Sequence, residues 1–168
     1  KSYRSTNEIT DFMSAILNNT TTLSLGVAGD KPHIIQTNDL RGAVKGLVDT
    51  AFEANDSFVI LCKNKAACQQ LYTELKPSIP QLQLITEKQK AYMKGILIMP
   101  GYMAKGFEFT TVVLADANAQ VYQEEMDVYL LYTIASRATR KLFLLTDGTL
   151  PKALAHIGEQ YYRKEVNI

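Results

Sequence analysis

Metal-binding and disulfide chemistry have little to work with in this chain. It has two cysteines, Cys62 and Cys68, and no Cys-x-x-Cys pair. Its two histidines, His33 and His156, stand far apart with no cysteine near either. Zinc sites need three or four such ligands in close spacing, so no metal site is expected. Cys62 ends an apolar run and Cys68 falls on the apolar face of the next helix. Both read as reduced core residues of a cytoplasmic protein. No apolar run reaches membrane-spanning length, and neither a signal peptide nor a membrane partner is expected. Charge of one sign is not in excess either: 18 Lys and Arg face 17 Asp and Glu, for a net +1. No broad basic field advertises nucleic acid, and any DNA contact has to come from a local patch. The run 26–30, Gly-Val-Ala-Gly-Asp, is rich in glycine but lacks the Gly-Lys-Ser/Thr ending of a phosphate-binding loop. No paired-acid strand that would hold Mg²⁺ follows elsewhere.

What is present suits one globular domain spanning 1–168. Hydrophobic residues make up 46% and charged residues 21% of the 168, enough for a single core. Ser5 and Glu8 have the spacing of a capping box. Apolar residues from Ile9 to Leu17 then recur at helical spacing, predicting a helix over about 6–17. His33 to Thr37 reads as a strand, and Leu40 to Phe52 as a helix. Ser57 to Cys62 is a buried-type strand. Asn64 can cap a helix that ends before Pro77. Strands are expected over 82–86, 95–99, 112–115 and 142–146, with a charged connection over 87–94. Helices are expected from Gln123 to about Thr139 and from near Pro151, the latter carrying Leu154, Ile157, Tyr161 and Tyr162. This alternation predicts an α/β fold with a mainly parallel sheet covered on both faces. In such sheets ligands sit beyond the carboxyl ends of the strands.

Three places stand out against that background. The stretch 104–109, Ala-Lys-Gly-Phe-Glu-Phe, sets Glu108 between two phenylalanines at the head of a core strand. One reading is a turn whose phenylalanines pack inward while Glu108 points to water; the other gives the carboxylate a ligand. Tyr3 and Arg4 precede a helix N-terminus, a favourable place for an anion, although Arg4 also reads as a solvated charge. Arg137 lies eleven residues beyond Met126, which returns it to within about 20° of the buried stripe at about 100° per residue. It either snorkels past the helix end or faces a cleft and meets an anion such as phosphate.

Together these stretches resemble motifs of the UvrD/Rep/PcrA-like superfamily 1 helicases. Lys-Ser-Tyr-Arg-Ser-Thr at 1–6 is similar to motif IV. Ala-Lys-Gly-Phe-Glu-Phe at 104–109 is similar to the motif V core, usually Ala-Lys-Gly-Leu-Glu-Phe. Leu-Leu-Tyr-Thr-Ile-Ala-Ser-Arg-Ala-Thr at 130–139 is similar to motif VI. The resemblance implies the second RecA-like domain of an ATP-dependent DNA helicase, a three-layer α/β sandwich of the P-loop NTPase type with no P-loop of its own. In that family ATP lies between two such domains. The resemblance then gives Tyr3 the adenine, Arg4 and Arg137 the γ-phosphate, Glu108 the ribose hydroxyls, and Gly106 a close backbone approach. It implies ATP and Mg²⁺ as cofactors of the whole protein, and an N-terminal RecA-like domain and DNA as partners.

Two departures point to a variant. Pro100-Gly101-Tyr102-Met103 stands where the family usually has Thr-x-His, a pair that helps couple nucleotide state to the DNA strand. The interval from Arg4 to Lys105 leaves no room for the large accessory insertion. Both features are similar to the HelD-type branch, ATPases that bind and recycle RNA polymerase. A third reading is a non-catalytic Rossmann-like binding domain, favoured if Tyr3, Arg4, Glu108 and Arg137 lay on different faces. The chain opens inside a motif without an initiator Met and reads as a piece of a longer protein. Lacking the Walker motifs, the 168-residue chain is expected to release phosphate from ATP at background rate. A magnesium-dependent turnover near ~1 s⁻¹, the low end of ordinary enzyme rates, would contradict this.

Overall fold

The computed structural model describes residues 5–19, 26–87 and 94–167. Its elements in chain order begin with α1 (Asn7–Ile16), β1 (His33–Thr37), α2 (Leu40–Ala51), β2 (Ser57–Cys62) and α3 (Lys65–Leu75). There follow β3 (Gln83–Leu84), β4 (Gly95–Pro100), a 3₁₀ turn (Gly101–Ala104) and β5 (Phe109–Leu114). The chain closes with α4 (Asp127–Ala135), β6 (Ala138–Thr146), α5 (Lys152–Ala155), a 3₁₀ turn (Glu159–Tyr161) and β7 (Arg163–Asn167).

The seven strands form one sheet in the order β3-β4-β2-β5-β6-β1-β7. Every pair runs parallel, as the expected α/β sandwich requires. Because side chains alternate across a strand, each central strand feeds two cores. Ile34, Val59, Leu61, Leu97, Val112 and Leu142 pack on the face covered by α1, α4 and α5. Ile35, Ile60, Ile98, Val113 and Phe143, their neighbours in sequence, pack on the face covered by α2 and α3. Continuous apolar runs are what such doubly covered strands need. Asn64 caps α3, its Oδ1 accepting from Ala67 N at 2.9 Å, as its place in the sequence suggests. Cys62 and Cys68 are both buried and free.

Several expectations needed correction. The capping box does not form. Thr6 is the N-cap of α1 and makes no side-chain capping bond. Its buried hydroxyl has no partner among the described residues. Glu8 instead accepts from Gly29 N at 2.7 Å, and Ser5 Oγ donates to Ala138 O at 2.5 Å. Tertiary partners have drawn both side chains away from the local motif. The helix expected over 123–139 is only Asp127–Ala135, so Arg137 lies in the turn beyond it and the stripe argument does not apply to it. Ser136 Oγ folds back on Thr133 O at 2.6 Å, Arg137 N on Ile134 O at 3.1 Å, and Ala138 already pairs with Phe109. The strand at 82–86 shrinks to Gln83–Leu84. Only Lys152–Ala155 of the last expected helix is α-helical, and β7 follows where no strand was expected. All five β7 residues are exposed, so no apolar pattern announces it. Tyr3, Arg4 and most of the 87–94 connection lie outside the described residues.

Candidate functional site

Two of the three singled-out stretches meet at the amino-terminal ends of β5 and β6. Phe109 N donates to Arg137 O at 2.8 Å, and Thr6 N donates to Thr139 O at 3.1 Å. Thr139 Oγ1 donates to Phe109 O at 3.2 Å. Ser5, bonded to Ala138 O across a separation of 133 residues, brings the start of the described chain to the same edge. Where Phe109↔Ala138 pairing gives way to Thr111↔Lys141, the register shifts by one residue. Bulges of this kind bend a strand and re-aim its side chains. This is the opposite edge from the carboxyl ends where the sheet type alone would place a ligand.

The loop that delivers Glu108 is a tight turn. Phe107 N donates to Ala104 O at 3.0 Å. Lys105 has φ −58° and ψ 128°, and Gly106 has φ +93°. These are the angles of a type II turn, which needs glycine at its third position. Gly106 is therefore demanded by backbone conformation, whatever approaches it. Phe107 packs against the α1–α4 core and Phe109 is buried within it. Glu108 between them is exposed. The inward phenylalanines and outward, exposed glutamate match the turn reading.

Arg137 is half-buried and oriented by four hydrogen bonds. Nε donates to Thr133 O at 3.2 Å and to Ser136 Oγ at 3.3 Å. One terminal nitrogen donates to Ser136 Oγ at 2.9 Å, the other to Phe107 O at 3.2 Å. These neighbours are carbonyls and a hydroxyl, which orient a guanidinium without neutralising it. The positive charge is thus held half-buried against the turn that carries Glu108.

A second polar cluster at the other edge gave little sign of itself in the sequence. Asp116, just beyond Ala115 at the end of β5, accepts from Lys63 N at 3.0 Å and from Tyr122 Oη at 3.0 Å. Lys63 Nζ donates to Asp127 at 3.0 Å and to Val121 O at 3.0 Å. Burial pushes the Asp116 carboxyl above its ordinary range, and the hydrogen bonds from Lys63 and Tyr122 only partly oppose this. Burial and the Asp116 carboxylate push the Tyr122 phenol up as well. The Cys62 thiol is raised by its hydrogen bond with Cys68 and by burial. The one legible signal was an aspartate closing an apolar strand. Beside the cluster opens a cleft of about 580 Å³ floored by Ile16, Val128 and Leu131. Among the described residues no group of three or more His, Cys, Asp or Glu could hold a metal ion. Nor is any described helix long and apolar enough to cross a membrane.

A parallel three-layer sandwich with a motif V-like turn bonded to a motif VI-like arginine defines a RecA-like helicase motor domain. Residues 95–145 match the model of the UvrD-like helicase C-terminal domain. The chain is also similar to the C-terminal domain of a possible DNA helicase from Lactobacillus plantarum WCFS1. The two share 33% identity over 98% of this chain and 99% of that one, with a TM-score of 0.80. The chain belongs to the UvrD-like helicase C-terminal domain family. More distant likenesses concern the fold alone. The C-terminal domain of the DEAD-box protein Dbp5 is 13% identical, with a TM-score of 0.52, over 82% of this chain and 90% of that one. An arterivirus helicase, nonstructural protein 10 solved with DNA, is 10% identical, with a TM-score of 0.53, over 95% of this chain and 37% of that one. No curated protein matches the sequence.

Two outcomes follow from this geometry. Gly106→Ala forces a side chain into a positive-φ position and is expected to cost about 1 kcal/mol or more, read as a lower urea midpoint with unchanged m-value. The raised Asp116 carboxyl binds its proton more tightly folded than unfolded. Its contribution therefore falls as pH climbs from the ordinary carboxylate range through the raised value, and is level above it. Asp116→Asn should remove that fall, seen as a flatter melting temperature against pH; an unchanged profile would contradict it.

Proposed function

We propose that this domain is the second motor half of an ATP-dependent UvrD-like DNA helicase or translocase. In this reading it completes an ATP site against an N-terminal RecA-like domain of the same, longer, cytoplasmic chain and couples hydrolysis to movement along DNA. The observation that carries the proposal is the Arg137 guanidinium, half-buried and hydrogen-bonded to Phe107 O and Ser136 Oγ against the turn that presents Gly106 and Glu108. A planar, oriented cation at an exposed edge suits charge developing on a transferring phosphoryl group. Exposed Glu108 would accept from ribose hydroxyls. Tyr3 on adenine and Arg4 on the γ-phosphate complete the reading; the adjacent Ser5 is bonded to Ala138, next to Arg137. The reading assigns Mg²⁺, with the Walker motifs, to the N-terminal half.

A second reading is favoured by Tyr102. It stands where the family has Thr-x-His, and it is 51% exposed on the 3₁₀ turn Gly101–Ala104. A large exposed aromatic there suits a HelD-type factor whose main partner is RNA polymerase. Stimulation of the ATPase by single-stranded DNA favours the first reading; stimulation by polymerase alone favours the second.

Arg137→Ala in the full-length protein is expected to leave ATP binding largely intact and lower kcat by about 10³ or more. Arg137→Lys should rescue only partly, since a point charge cannot replace a planar fork. An unchanged rate in a well-folded Arg137→Ala protein, with its melting temperature measured on the same sample, would refute the role.

A further inference from the structure

We propose that Lys63 and Asp127 are positioning residues for Arg137. Their ion pair at the start of α4 fixes the register of the helix whose far end presents the guanidinium. The proposal rests on the reading of Arg137 given above.

Asp127 is the first residue of α4 and is 8% exposed. Its Oδ2 accepts from Lys63 Nζ at 3.0 Å and from Glu124 N at 3.0 Å. Lys63 follows the last residue of β2, and its backbone N–H is bonded to Asp116 beyond β5. Its Nζ also holds Val121 O at 3.0 Å and lies 5.4 Å from the centroid of the Tyr122 ring. The lysine is thus tied to the centre of the sheet, and Asp127 is tied to the lysine.

The other buried residues of α4 are Leu131, Ile134 and Ala135. Apolar packing of this kind is non-directional. It sets how closely the helix approaches the sheet and resists sliding along its axis less than a directional bond does. One interlock helps: a Cβ on Gly101 would fall 2.6 Å from Ile134 Cδ1, so the absent side chain makes room for that isoleucine. The directional anchor is the partly buried ion pair, whose geometry tolerates little displacement.

At the far end, three of the four guanidinium bonds go to Thr133 O and Ser136 Oγ, in the last turn of α4 and at its C-cap. The fourth goes to Phe107 O, on the separate turn that leads into β5. Arg137 therefore travels with α4, and an axial slip of the helix pulls it away from the turn that bears Glu108. Nine residues of α-helix span about 13 Å and transmit such a slip as a rigid body. Misplacing a reacting group by about 1 Å costs on the order of 100-fold in rate.

Two variants test this. Asp127→Asn keeps the shape and drops the charge. Lys63→Met/Asp127→Leu removes both charges, so that neither is left buried alone. Lys45→Ala, which breaks the exposed Lys45–Asp49 pair, is the control. In the 168-residue chain, the Arg137 Nη1–H that donates to Phe107 O should exchange with solvent at least about tenfold faster in both variants and unchanged in the control. The core amides of Ile60 and Ile98 should keep their rates. Unchanged Arg137 exchange, or equal acceleration at Ile60 and Ile98, would overturn the proposal by leaving the pair a general stabiliser. In the full-length protein both variants should lower kcat about 10- to 100-fold with KM for ATP unchanged. Wild-type kcat in both, beside a disabled Arg137→Ala, would also overturn it. Should Arg137→Ala itself leave kcat unchanged, the functional reading fails instead, and the exchange experiment alone decides whether the pair positions the arginine.

Discussion

The hydrogen bond from Phe109 N to Arg137 O, 2.8 Å long, joins the two turns on which the candidate edge depends. It begins the pairing of β5 with β6, and it sets the residue after Glu108 against the backbone of the arginine. Thr6 N to Thr139 O and Ser5 Oγ to Ala138 O then bring in the start of α1. The bonds from Phe109 N and Thr6 N hold two distant segments against the arginine's turn by backbone groups alone. Such bonds survive side-chain variation, which lets the edge keep its shape while its side chains specialise.

Central strands were legible because burial on both faces demands unbroken apolar runs, and Ser57–Cys62 and His33–Thr37 have the observed bounds. The helix at Asp127–Ala135 was misjudged because helical periodicity does not register a change of hydrogen-bond partner. Thr139 looks acceptable in a helix, yet its backbone pairs across to Thr6 and its hydroxyl to Phe109. β7 stayed hidden because an edge strand with both faces in water needs no apolar residue. Glu108 and Arg137 were legible as oddities, a charge between aromatics and a cation in an apolar helix pattern. Their conjunction was legible only through family motifs. The reason for Gly106 emerged from backbone angles, not from its neighbours in sequence.

The opposite edge explains why the candidate site lies where it does. In open parallel sheets the customary ligand crevice is where connections leave in opposite directions. In this order that place lies between β2, which leads to β3 and β4 on one side, and β5, which leads to β6 on the other. Lys63, Asp116 and Tyr122 fill it with their own hydrogen bonds. Satisfied internally, these groups offer a phosphate little.

The central claim is that Arg137 faces the reacting phosphate. A structure of the full-length protein with a non-hydrolysable ATP analogue and magnesium tests it most directly. The account predicts a guanidinium nitrogen within about 3 Å of a γ-phosphate oxygen, a charge-assisted hydrogen bond, with Glu108 turned toward the ribose. A nucleotide bound at the crevice between β2 and β5, with Arg137 still turned onto Phe107 and facing no phosphate, would contradict it.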